Sequence, residues 1–579
     1  MILQALARYY DDLLQQGKIS APGWTKVKIS YALDIGLDGQ LKQVIPTRQD
    51  ETVGKKTVQR PQEMVLPAPI KKTSGASSNF LWENSGYLLG IKQKEEPQRS
   101  LKCFETAREL HHALLDGVDS PNAKAILRFF DSWQPEEAAQ HPMLSGELDE
   151  ITAGGNLVFR IEGTYPQEDS RIREAWDKAR NSSSKDAVKM QCLITGQEDE
   201  IVAVHPSIKG VRDAQSSGAA LVSFNAPAFC SYGHEQNYNA PVGKHAAFAY
   251  TAALNHLLSD RNSVQHIGDT TVVCWAEGAE EAYQNLAQFA LFGQEMPGLT
   301  DNDLRAALKR LANGLPCDDL GVDPKRPFYV LGLAPNAARL SVRFFLHDSF
   351  GKLMKNVNDH YDRMEIVQPD LDKQEILPLW LMLRETVNLN SRDKSPSPAM
   401  AGATVRAVFS GGPYPASLLE AVMLRIRAES SVTRGRAAII KAYYLKNPHS
   451  DCPKEVLTVS LNEASNNPAY VLGRLFSIYE NVQQAANRGI KATIKDKYFN
   501  SAAAMPASIF PVLNNLYQKH LHKLSPGLRK YFDNQVVELK SKLGESYPVR
   551  MTLAQQGAFD LGYYHQRNSK SNGEGQNND

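Results

Sequence analysis

The first 45 residues show two different spacings of apolar positions. From Ile2 to Gln16 the apolar residues recur every three or four positions, which predicts an amphipathic helix. Between Trp24 and Ile35 they alternate with polar residues, which predicts one half-buried strand. Asp38 and Gly39 then indicate a turn, and a second strand is expected from Leu41 to Ile45.

The next stretch loses this regular pattern. Thr47 to Pro69 is polar, is interrupted by prolines and carries Lys55, Lys56 and Arg60. Such a composition predicts a long basic connecting loop. This loop leads to the sequence Lys71 to Tyr87, KKTSGASSNFLWENSGY.

Within KKTSGASSNFLWENSGY, small polar residues precede buried aromatic anchors. Two lysines open it, Ser74 and Gly75 permit a turn, and Phe80 and Trp82 are the expected anchors. A loop held at one end in this way can present fixed hydrogen-bond donors to a groove or to phosphates. An ordinary surface loop followed by a strand would have the same composition, so this alternative stays open.

The rest of the chain alternates helical and strand patterns until about Phe350 and is mostly helical afterwards. The fold class is therefore predicted to be α+β, with a mixed α/β N-terminal region followed by an all-α C-terminal helical bundle. The intermediate helices are expected at Cys103 to Leu115, Asn122 to Trp133, Ile172 to Arg180, Lys244 to Leu258 and Glu280 to Phe292. The strands are expected at Leu157 to Ile161, Met190 to Thr195, Ala219 to Phe224, Thr270 to Trp275, Tyr329 to Leu333 and Leu340 to Phe345.

The C-terminal part contains amphipathic runs separated by short breaks. They predict a bundle of four helices at Pro468 to Ala486, Ala507 to Leu521, Leu528 to Leu543 and Thr552 to Tyr564. The predicted domains are therefore a mixed body over residues 1–455, a four-helix bundle over 456–567 and a disordered tail over 568–579, which is poor in apolar residues.

Charge and cysteine content limit the class of protein. The chain has 65 basic and 64 acidic residues, so it does not coat nucleic acid with its whole surface, and any contact must come from local patches. Six cysteines without a CxxC pair indicate free thiols in a reducing compartment. Neither a long apolar run nor a signal peptide is visible, so we expect a cytoplasmic protein without a membrane partner.

Common catalytic motifs are missing from the sequence. It lacks GxxxxGK[ST], HExxH and GxSxG, and the adjacent His111 and His112 would point in different directions on a helix. Cys192, His205 and His234 lack the paired spacing of a zinc site. We therefore expect no enzyme, no cofactor and no metal. A metal-dependent nuclease or other nucleic-acid-processing enzyme with acidic residues far apart in sequence is the alternative.

Three further strings carry candidate contacts. In HPSIKGVRDAQSSG, Lys209, Arg212 and Gln215 could hold a phosphate or a nucleic-acid strand, although a solvated loop between strands fits equally well. In LAPNAARLSVRFF, Arg339 and Arg343 could contact RNA or another protein. In FNAPAFCSYGHEQNYNAPVGKH, Tyr232, His234 and Tyr238 could stack on bases, but packing inside irregular loops is the favoured interpretation.

Several long strings together resemble one known family. MILQALARYYDDLL, KKTSGASSNFLWENSGY, LVSFNAPAFCSYG and LAPNAARLSVRFF resemble the large subunit of type I-C CRISPR surveillance complexes (Cascade), and the resemblance runs from Met1 to about Tyr564. It implies a non-catalytic subunit that binds the guide-RNA complex, recognises a protospacer-adjacent motif in duplex DNA and helps to start R-loop formation in antiviral defence. The implied partners are a CRISPR guide RNA, target double-stranded DNA, the backbone and RNA-end-binding subunits, and a recruited helicase–nuclease.

The resemblance also gives KKTSGASSNFLWENSGY a role. We expect this loop to approach the motif-containing duplex, with lysines neutralising phosphates while serine and asparagine read base edges. The residues expected to do so are Lys71, Lys72, Ser74, Ser77, Ser78 and Asn79.

In the resembled family the same gene also yields a small subunit by internal translation initiation. Family members often have Met where this chain has Val459, and valine can be encoded by the alternative start codon GUG. Met423 would start inside the preceding helical region, and Met505 would discard the first bundle helix. We therefore expect a product of residues 459–579, which has 14 Lys and Arg against 9 Asp and Glu and would hold displaced DNA.

Overall fold

The structure is a computed structural model that describes residues 1–53, 56–70, 76–181, 187–260, 263–293, 296, 298–392 and 394–569. The chain divides into two compact units. The N-terminal unit comprises Leu3–His205 and Phe224–Ala252, and the C-terminal unit comprises Met1–Ile2, Pro206–Ser223 and Ala253–Asp579. Small sheets in the first part and helices in the C-terminal half confirm the predicted α+β class.

Up to residue 259 the chain combines helices with short strands. The helices are α1 (Ile2–Gln15), α2 (Ser85–Leu88), α3 (Pro97–Leu115), α4 (Pro121–Ser132), α5 (Leu148–Ala153), α6 (Ser170–Asn181) and α7 (Lys244–Ser259). The strands are β1 (Trp24–Ile29), β2 (Tyr31–Ile35), β3 (Leu41–Pro46), β4 (Arg48–Val53), β5 (Lys56–Pro67), β6 (Trp82–Glu83), β7 (Leu157–Ile161), β8 (Lys189–Gln191) and β9 (Glu198–Glu200).

These strands form sheets of four, three and two members. The strand orders are β3-β2-β7-β6, β1-β5-β4 and β8-β9, and only β2 and β7 among the described pairs run parallel. Aromatic residues of α4 cover the four-stranded sheet, since Phe129 and Phe130 lie 5.3 and 5.6 Å from the Phe159 ring. Edge-to-face contacts of this kind add to the stabilisation that apolar burial provides.

The stretch Trp24 to Ile35 is two strands, and the prediction of a single strand is wrong. Alternation holds in β1, where Val27 is buried and Lys28 is exposed. In β2, however, Ala32 and Leu33 are both fully buried, because both faces of this strand are covered. Ser30 separates the two strands, and its backbone N–H donates to the Asn156 carbonyl. The chain therefore passes here from one sheet to another.

The predicted basic loop over Thr47 to Pro69 is also wrong, because this stretch forms the hairpin of β4 and β5. The prolines favoured a loop, but Pro61 lies within β5, at the point where the pairing of β5 changes from β4 to β1. Gln62 is the last β5 residue paired with β1, and Pro61 pairs with Arg48 of β4. A proline lacks the backbone N–H that a strand donates to its neighbour. Pro61 is tolerated because it lies at the end of the pairing with β4 and outside the pairing with β1.

The remainder of the chain contains one sheet of four strands and many helices. The strands are β10 (Val264–Ile267), β11 (Thr270–Ala276), β12 (Pro327–Asn336) and β13 (Arg339–Ser349), which pair antiparallel in chain order. The helices are α8 (Glu281–Phe292), α9 (Asp301–Ala312), α10 (Phe350–Met364), α11 (Leu379–Arg384), α12 (Pro398–Ser410), α13 (Ala416–Glu429), α14 (Arg434–Lys446), α15 (Pro468–Ala486), α16 (Ile494–Ala504), α17 (Pro506–Leu521), α18 (Pro526–Ser541) and α19 (Leu553–Asn568).

Two predicted strands differ in the structure. The strand expected at Met190 to Thr195 is the shorter β8, and the segment expected to be a strand from Ala219 onward forms only isolated bridges at Ala219 and Ala220. No helix among the described residues is both long enough and apolar enough to cross a membrane.

The C-terminal bundle has five helices where the sequence predicted four. The additional helix, α16, begins after a capping box in which Thr493 and Asp496 satisfy each other's backbone N–H groups. Helices α15 and α19 pack with their backbones in contact at Gly473 and Gly562, where a Cβ would overlap the facing backbone. One compact unit holds both the bundle and residues 253–455, so the domain boundary at 456 stays a prediction. Residues 570–579, most of the predicted tail, lie outside the described residues.

Candidate nucleic-acid interface

Ile70, which precedes the predicted DNA-reading residues, is hydrogen-bonded to Asn79, the last of them. The backbone N–H of Ile70 donates to Oδ1 of Asn79 over 3.0 Å, so the two ends of the 70–79 segment meet. Lys71, Lys72 and Ser74 lie outside the described residues, and their DNA contacts stay a prediction. Ser77 is half-buried, and its backbone N–H donates to the Tyr87 hydroxyl over 3.4 Å.

Ser78 and Asn79 are buried, and this differs from the exposed position that base reading requires. Their exposed fractions are 1% and 4%. The Asn79 amide donates to Oε2 of Glu83 over 2.9 Å while its Oδ1 accepts from Ile70, and the Ser78 hydroxyl donates to the Asn79 carbonyl. Sequence gave both residues a contact role because their donors and acceptors suit base edges. In the fold, these donors and acceptors instead form hydrogen bonds with Ile70, with Glu83 and between Ser78 and Asn79, and these bonds close the segment.

Glu83 is the centre of this closure. Its Oε2 accepts from the Asn79 amide, and its Oε1 accepts from both the backbone N–H and the side chain of Asn84 over 3.0 Å each. The carboxylate is only 3% exposed. A buried carboxylate is stable only when hydrogen bonds replace its hydration, so these donors are part of one connected network.

Aromatic residues and His111 hold the chain immediately after Asn79. Phe80 stacks on Trp176 with ring centroids 5.4 Å apart and contacts the His111 ring at 5.2 Å. Nε2 of His111 accepts from the Leu81 N–H over 3.0 Å, and Nδ1 lies 2.7 Å from the Ala107 carbonyl. Burial lowers the His111 pKa to about 4, so the imidazole is neutral and its proton resides on Nδ1.

Leu81 adopts a left-handed backbone conformation with φ of +68°. Such a conformation is costly for a leucine and persists only where the surroundings impose it. Here the surroundings are the His111 hydrogen bond and β6, in which Trp82 pairs with Val158 and donates its Nε1–H to the Pro67 carbonyl over 2.8 Å. Residues 79–83 and His111 therefore form a rigid base at the C-terminal end of the 70–79 segment.

Tyr87 closes the same base from the other side. Burial, followed by a hydrogen bond with Cys103, raises the pKa of Tyr87 to about 12, so the hydroxyl stays protonated. Exposed lysines lie on the strand beside this base: β1 pairs with β5, which leads to the segment, and Lys26 and Lys28 of β1 are exposed. In the sheet, Lys26 lies opposite Val65 and Lys28 lies opposite the exposed Glu63 of β5.

The second set of predicted contacts lies in the C-terminal unit. Lys209, Arg212 and Gln215 are exposed in a loop whose end joins β13, since Ala220 forms a parallel bridge with Arg339. The loop is fixed further by the Arg212 N–H, which donates to the Thr271 hydroxyl over 3.1 Å. The fold thus associates the loop with the strand that also carries Arg343, whose guanidinium donates to Asp269 over 2.8 Å.

The favoured packing interpretation does not hold for Tyr232 and His234, whereas Tyr238 is half-buried. Tyr232 is 97% exposed and has φ of +53°, and His234 is also exposed. The Asn239 side chain holds this loop: its Oδ1 accepts from the Ser231 N–H over 2.8 Å, and its amide donates to the carbonyls of His234 and Gln236. A fixed loop that presents an aromatic ring to solvent suits stacking on a base.

One end of the C-terminal bundle is strongly cationic. Residues 487–532 contain eight Lys and Arg against one acidic residue. Lys523 donates to the Asn487 side chain over 3.1 Å, which joins the ends of α15 and α17, and Tyr531 of α18 is 50% exposed. Basic groups beside an exposed aromatic are typical of surfaces that bind single strands.

The residues with zinc-ligand chemistry do not come together. Cys192 is buried and accepts from the Ile194 N–H, while His205 contacts the Tyr250 hydroxyl over 2.6 Å. In the described part of the chain, no group of three or more His, Cys, Asp or Glu is arranged to hold a metal ion.

Comparison with known proteins places the chain in a family. No curated protein matches the chain significantly. A family model described as CRISPR-associated protein (Cas_Csd1) matches residues 6–570, which is nearly the whole sequence. This match confirms the resemblance to type I-C large subunits on which the sequence interpretation relied. The chain belongs to the Csd1 family of CRISPR-associated proteins.

Proposed function

We propose that this chain is the non-catalytic large subunit of a type I-C RNA-guided surveillance complex and that its 70–79 segment approaches the protospacer-adjacent motif of duplex DNA. The family match over residues 6–570 supports membership of a CRISPR complex. The observation that carries the finer proposal is the rigid base formed by Asn79, Glu83, Leu81 and His111, because strain and buried polar closure concentrate where a loop must be held in place.

The proposal assigns a different role to each of these residues. Lys71 and Lys72 neutralise phosphates, with the exposed Lys26 and Lys28 of β1 as further candidate cations, while Ser74 and Ser77 are the candidates for base edges. Asn79 and Ser78 position the segment from inside the fold. Tyr232 is a further candidate, which would stack on a base that becomes unpaired when the R-loop starts.

The experiment compares variants in the reconstituted complex on duplexes with the correct and a scrambled motif. Lys72→Ala should weaken binding to both duplexes, because one phosphate contact is lost. The slope of the logarithm of the binding constant against the logarithm of the salt concentration should become shallower by about one. Lys102→Ala, which removes an exposed lysine from α3, is the matched control and should bind like the wild type. Equal binding by the two variants would remove Lys72 from the interface.

The proposal includes the assembly partners that the family implies: a guide RNA, backbone and RNA-end-binding subunits, target DNA and a helicase–nuclease. The net charge of +1 supports it, since a protein that binds DNA alone usually carries a clearer basic excess. The isolated chain should therefore bind duplex DNA weakly and with little motif preference. Tight, motif-specific binding by the isolated chain would contradict this part of the proposal.

The absence of catalysis is proposed as well, and the alternative of a metal-dependent nuclease needs a direct assay. Purified chain is incubated with DNA and RNA in the presence of Mg²⁺ or Mn²⁺. We expect intact substrates. Metal-dependent cleavage that disappears when a single acidic residue is replaced would establish the nuclease instead.

We further propose that translation also starts at Val459 and yields a small subunit from the same gene. Val459 lies before α15, so a product that starts there retains all five bundle helices. The cationic end of the bundle, within residues 487–532, would then face displaced DNA in each copy. Changing the Val459 codon to GUC leaves the full-length protein identical and should abolish the small product. If the codon cannot start translation, or the product persists at full level, the assignment fails.

A further inference from the structure

A groove in the C-terminal unit lies between the β10–β11 turn, the beginning of β13 and helix α12. Its volume is about 540 Å³. The α12 side is formed by the small residues Ala399, Gly402 and Ala403, and Phe344 provides an apolar wall. All residues that line the groove belong to the C-terminal unit and lie between Thr270 and Pro413.

The two charged residues of this groove are both arginines. Arg343 reaches it from β13 and Arg406 from α12, whereas none of the groove-lining residues is acidic. Two further cavities have acidic linings in part, for example Glu198 and Asp199 in one and Asp301 in the other. The charge of this groove therefore selects an anionic ligand.

A local irregularity in the sheet places Arg343 at the groove. The β12–β13 register shifts between Gly332 and Leu333, so that Arg343 is an extra residue opposite this point. The Phe344 ring packs over Gly332, where a Cβ would lie only 2.6 Å from the ring. A bulge of this kind turns a side chain away from its regular direction, and here it turns a guanidinium toward α12.

Both guanidinium groups keep capacity for a ligand. Arg343 uses Nη2 to donate to Asp269 over 2.8 Å, yet its side chain remains 46% exposed. Asp269 in turn accepts from the Thr270 hydroxyl over 3.1 Å, which orients the pair. Arg406 is exposed, and it forms no ion pair with any residue that the structure describes. Paired arginines can bind phosphate through two parallel hydrogen bonds each.

We propose that this groove binds the phosphodiester backbone of a single-stranded nucleic acid, with Arg343 and Arg406 on the phosphates and the apolar wall against the sugar. Guide RNA and displaced DNA share this chemistry, and the groove contains no donor set that selects one of them by itself. The proposal extends the proposed function, since it adds a contact that is independent of the duplex motif.

The test measures how the full-length chain binds fluorescent single-stranded RNA and single-stranded DNA of random sequence. Arg343→Gln and Arg406→Gln should each lower affinity by about a factor of ten, as expected for loss of a charge-assisted contact. Each should also reduce the salt slope by about one. The RNA and DNA arms show which strand the groove prefers, and added inorganic phosphate should compete only at high concentration.

Two variants of equal size and different charge separate the effect of charge from an effect on folding. Ala403 is exposed on α12, so Ala403→Glu and Ala403→Gln should both fold, as shown by unchanged thermal midpoints. Only the glutamate should weaken strand binding, because it brings a negative charge to the phosphates. Arg384→Gln, on an exposed position outside the groove, should bind like the wild type.

Wild-type affinity in Arg343→Gln, Arg406→Gln and Ala403→Glu would overturn the groove proposal, as would failure of the wild type to bind either strand at low salt. These outcomes are separate from failure of the proposed function. That failure would appear as unchanged motif discrimination in the assembled complex, whereas the groove assay uses no motif and no other subunit.

Discussion

At the scale of single residues, a polar side chain that is suited to contact DNA can instead form buried hydrogen bonds within the protein. Asn79 looked like a base reader because an asparagine amide matches the edge of adenine. In the fold its two polar atoms join Ile70 to Glu83. The sequence could not reveal this role, since the partner Glu83 is recognisable only once the two ends of the segment meet. His111, by contrast, was expected to be structural, and its burial fits that interpretation.

Asn79→Ala should therefore affect stability and recognition together. Removal of the amide leaves the Ile70 N–H without its partner and Oε2 of Glu83 with only the longer bond from the Asn79 N–H, which should cost about 1–3 kcal/mol of unfolding free energy. Motif discrimination by the complex should fall because the segment is no longer closed. Thermal or urea unfolding and duplex binding measure the two effects.

Ser77→Ala is the comparison for this variant, because Ser77 is half-buried and contributes its backbone N–H to the base. It should leave stability near that of the wild type. A large loss of discrimination in Asn79→Ala with wild-type stability would instead mean that Asn79 contacts DNA directly.

Asp560 offers a second test at this scale. Its two carboxylate oxygens are buried without a hydrogen-bond partner in the described structure, and burial raises its pKa well above the usual value. A raised folded-state pKa lowers stability as pH rises from about 4 toward neutrality, because the unfolded chain releases the proton more easily. Asp560→Asn should thus match the wild type near pH 4 and have the higher melting temperature at pH 7. Equal melting temperatures at both pH values would show that Asp560 is not held protonated.

At the scale of elements, local pattern predicted helices better than strands. The α1, α3, α4, α6, α7 and α8 helices appear close to the predicted positions, because their apolar faces repeat along a continuous stretch. The β1–β2 boundary at Ser30 and the β4–β5 hairpin were missed, since their pairing depends on residues distant in sequence. The α16 helix was missed although Thr493 and Asp496 gave a recognisable capping signal.

Because the backbones of α15 and α19 are in contact, a single methyl group added at this contact should strongly lower the stability of the protein. A Cβ on Gly473 would overlap the Phe559 carbonyl and the Tyr563 N–H of α19. Gly473→Ala should lower the unfolding free energy by about 1–3 kcal/mol or more through overpacking, and the thermal midpoint with it. Gly527→Ala, near the beginning of α18, is the matched control because a Cβ there meets open space. Its midpoint should equal or exceed that of the wild type, and equal losses in both variants would contradict the close helix contact.

At the scale of the whole molecule, four buried histidines link stability to pH. Burial lowers the pKa of His111, His205 and His565 to about 4 and that of His360 to about 3. In the unfolded chain a histidine titrates near 6.5. The unfolded state therefore binds more protons below this pH, and the stabilisation present above it is lost as pH falls toward 4.

Melting temperature should accordingly decline between about pH 6.5 and pH 4.5, before most carboxylates titrate. His111→Gln removes one contribution and should give a shallower decline, although its midpoint at neutral pH will be lower. A wild-type midpoint that is flat over this range would contradict the neutral, buried state of these imidazoles.

The most direct test of the whole account is reconstitution of the RNA-guided complex with and without this chain. Binding is measured on duplexes that share one target sequence but carry either the correct or a scrambled protospacer-adjacent motif. The account predicts that complexes containing the chain prefer the correct motif and that complexes lacking it bind both duplexes equally. Undiminished preference without the chain would contradict its role as the subunit that recognises the motif.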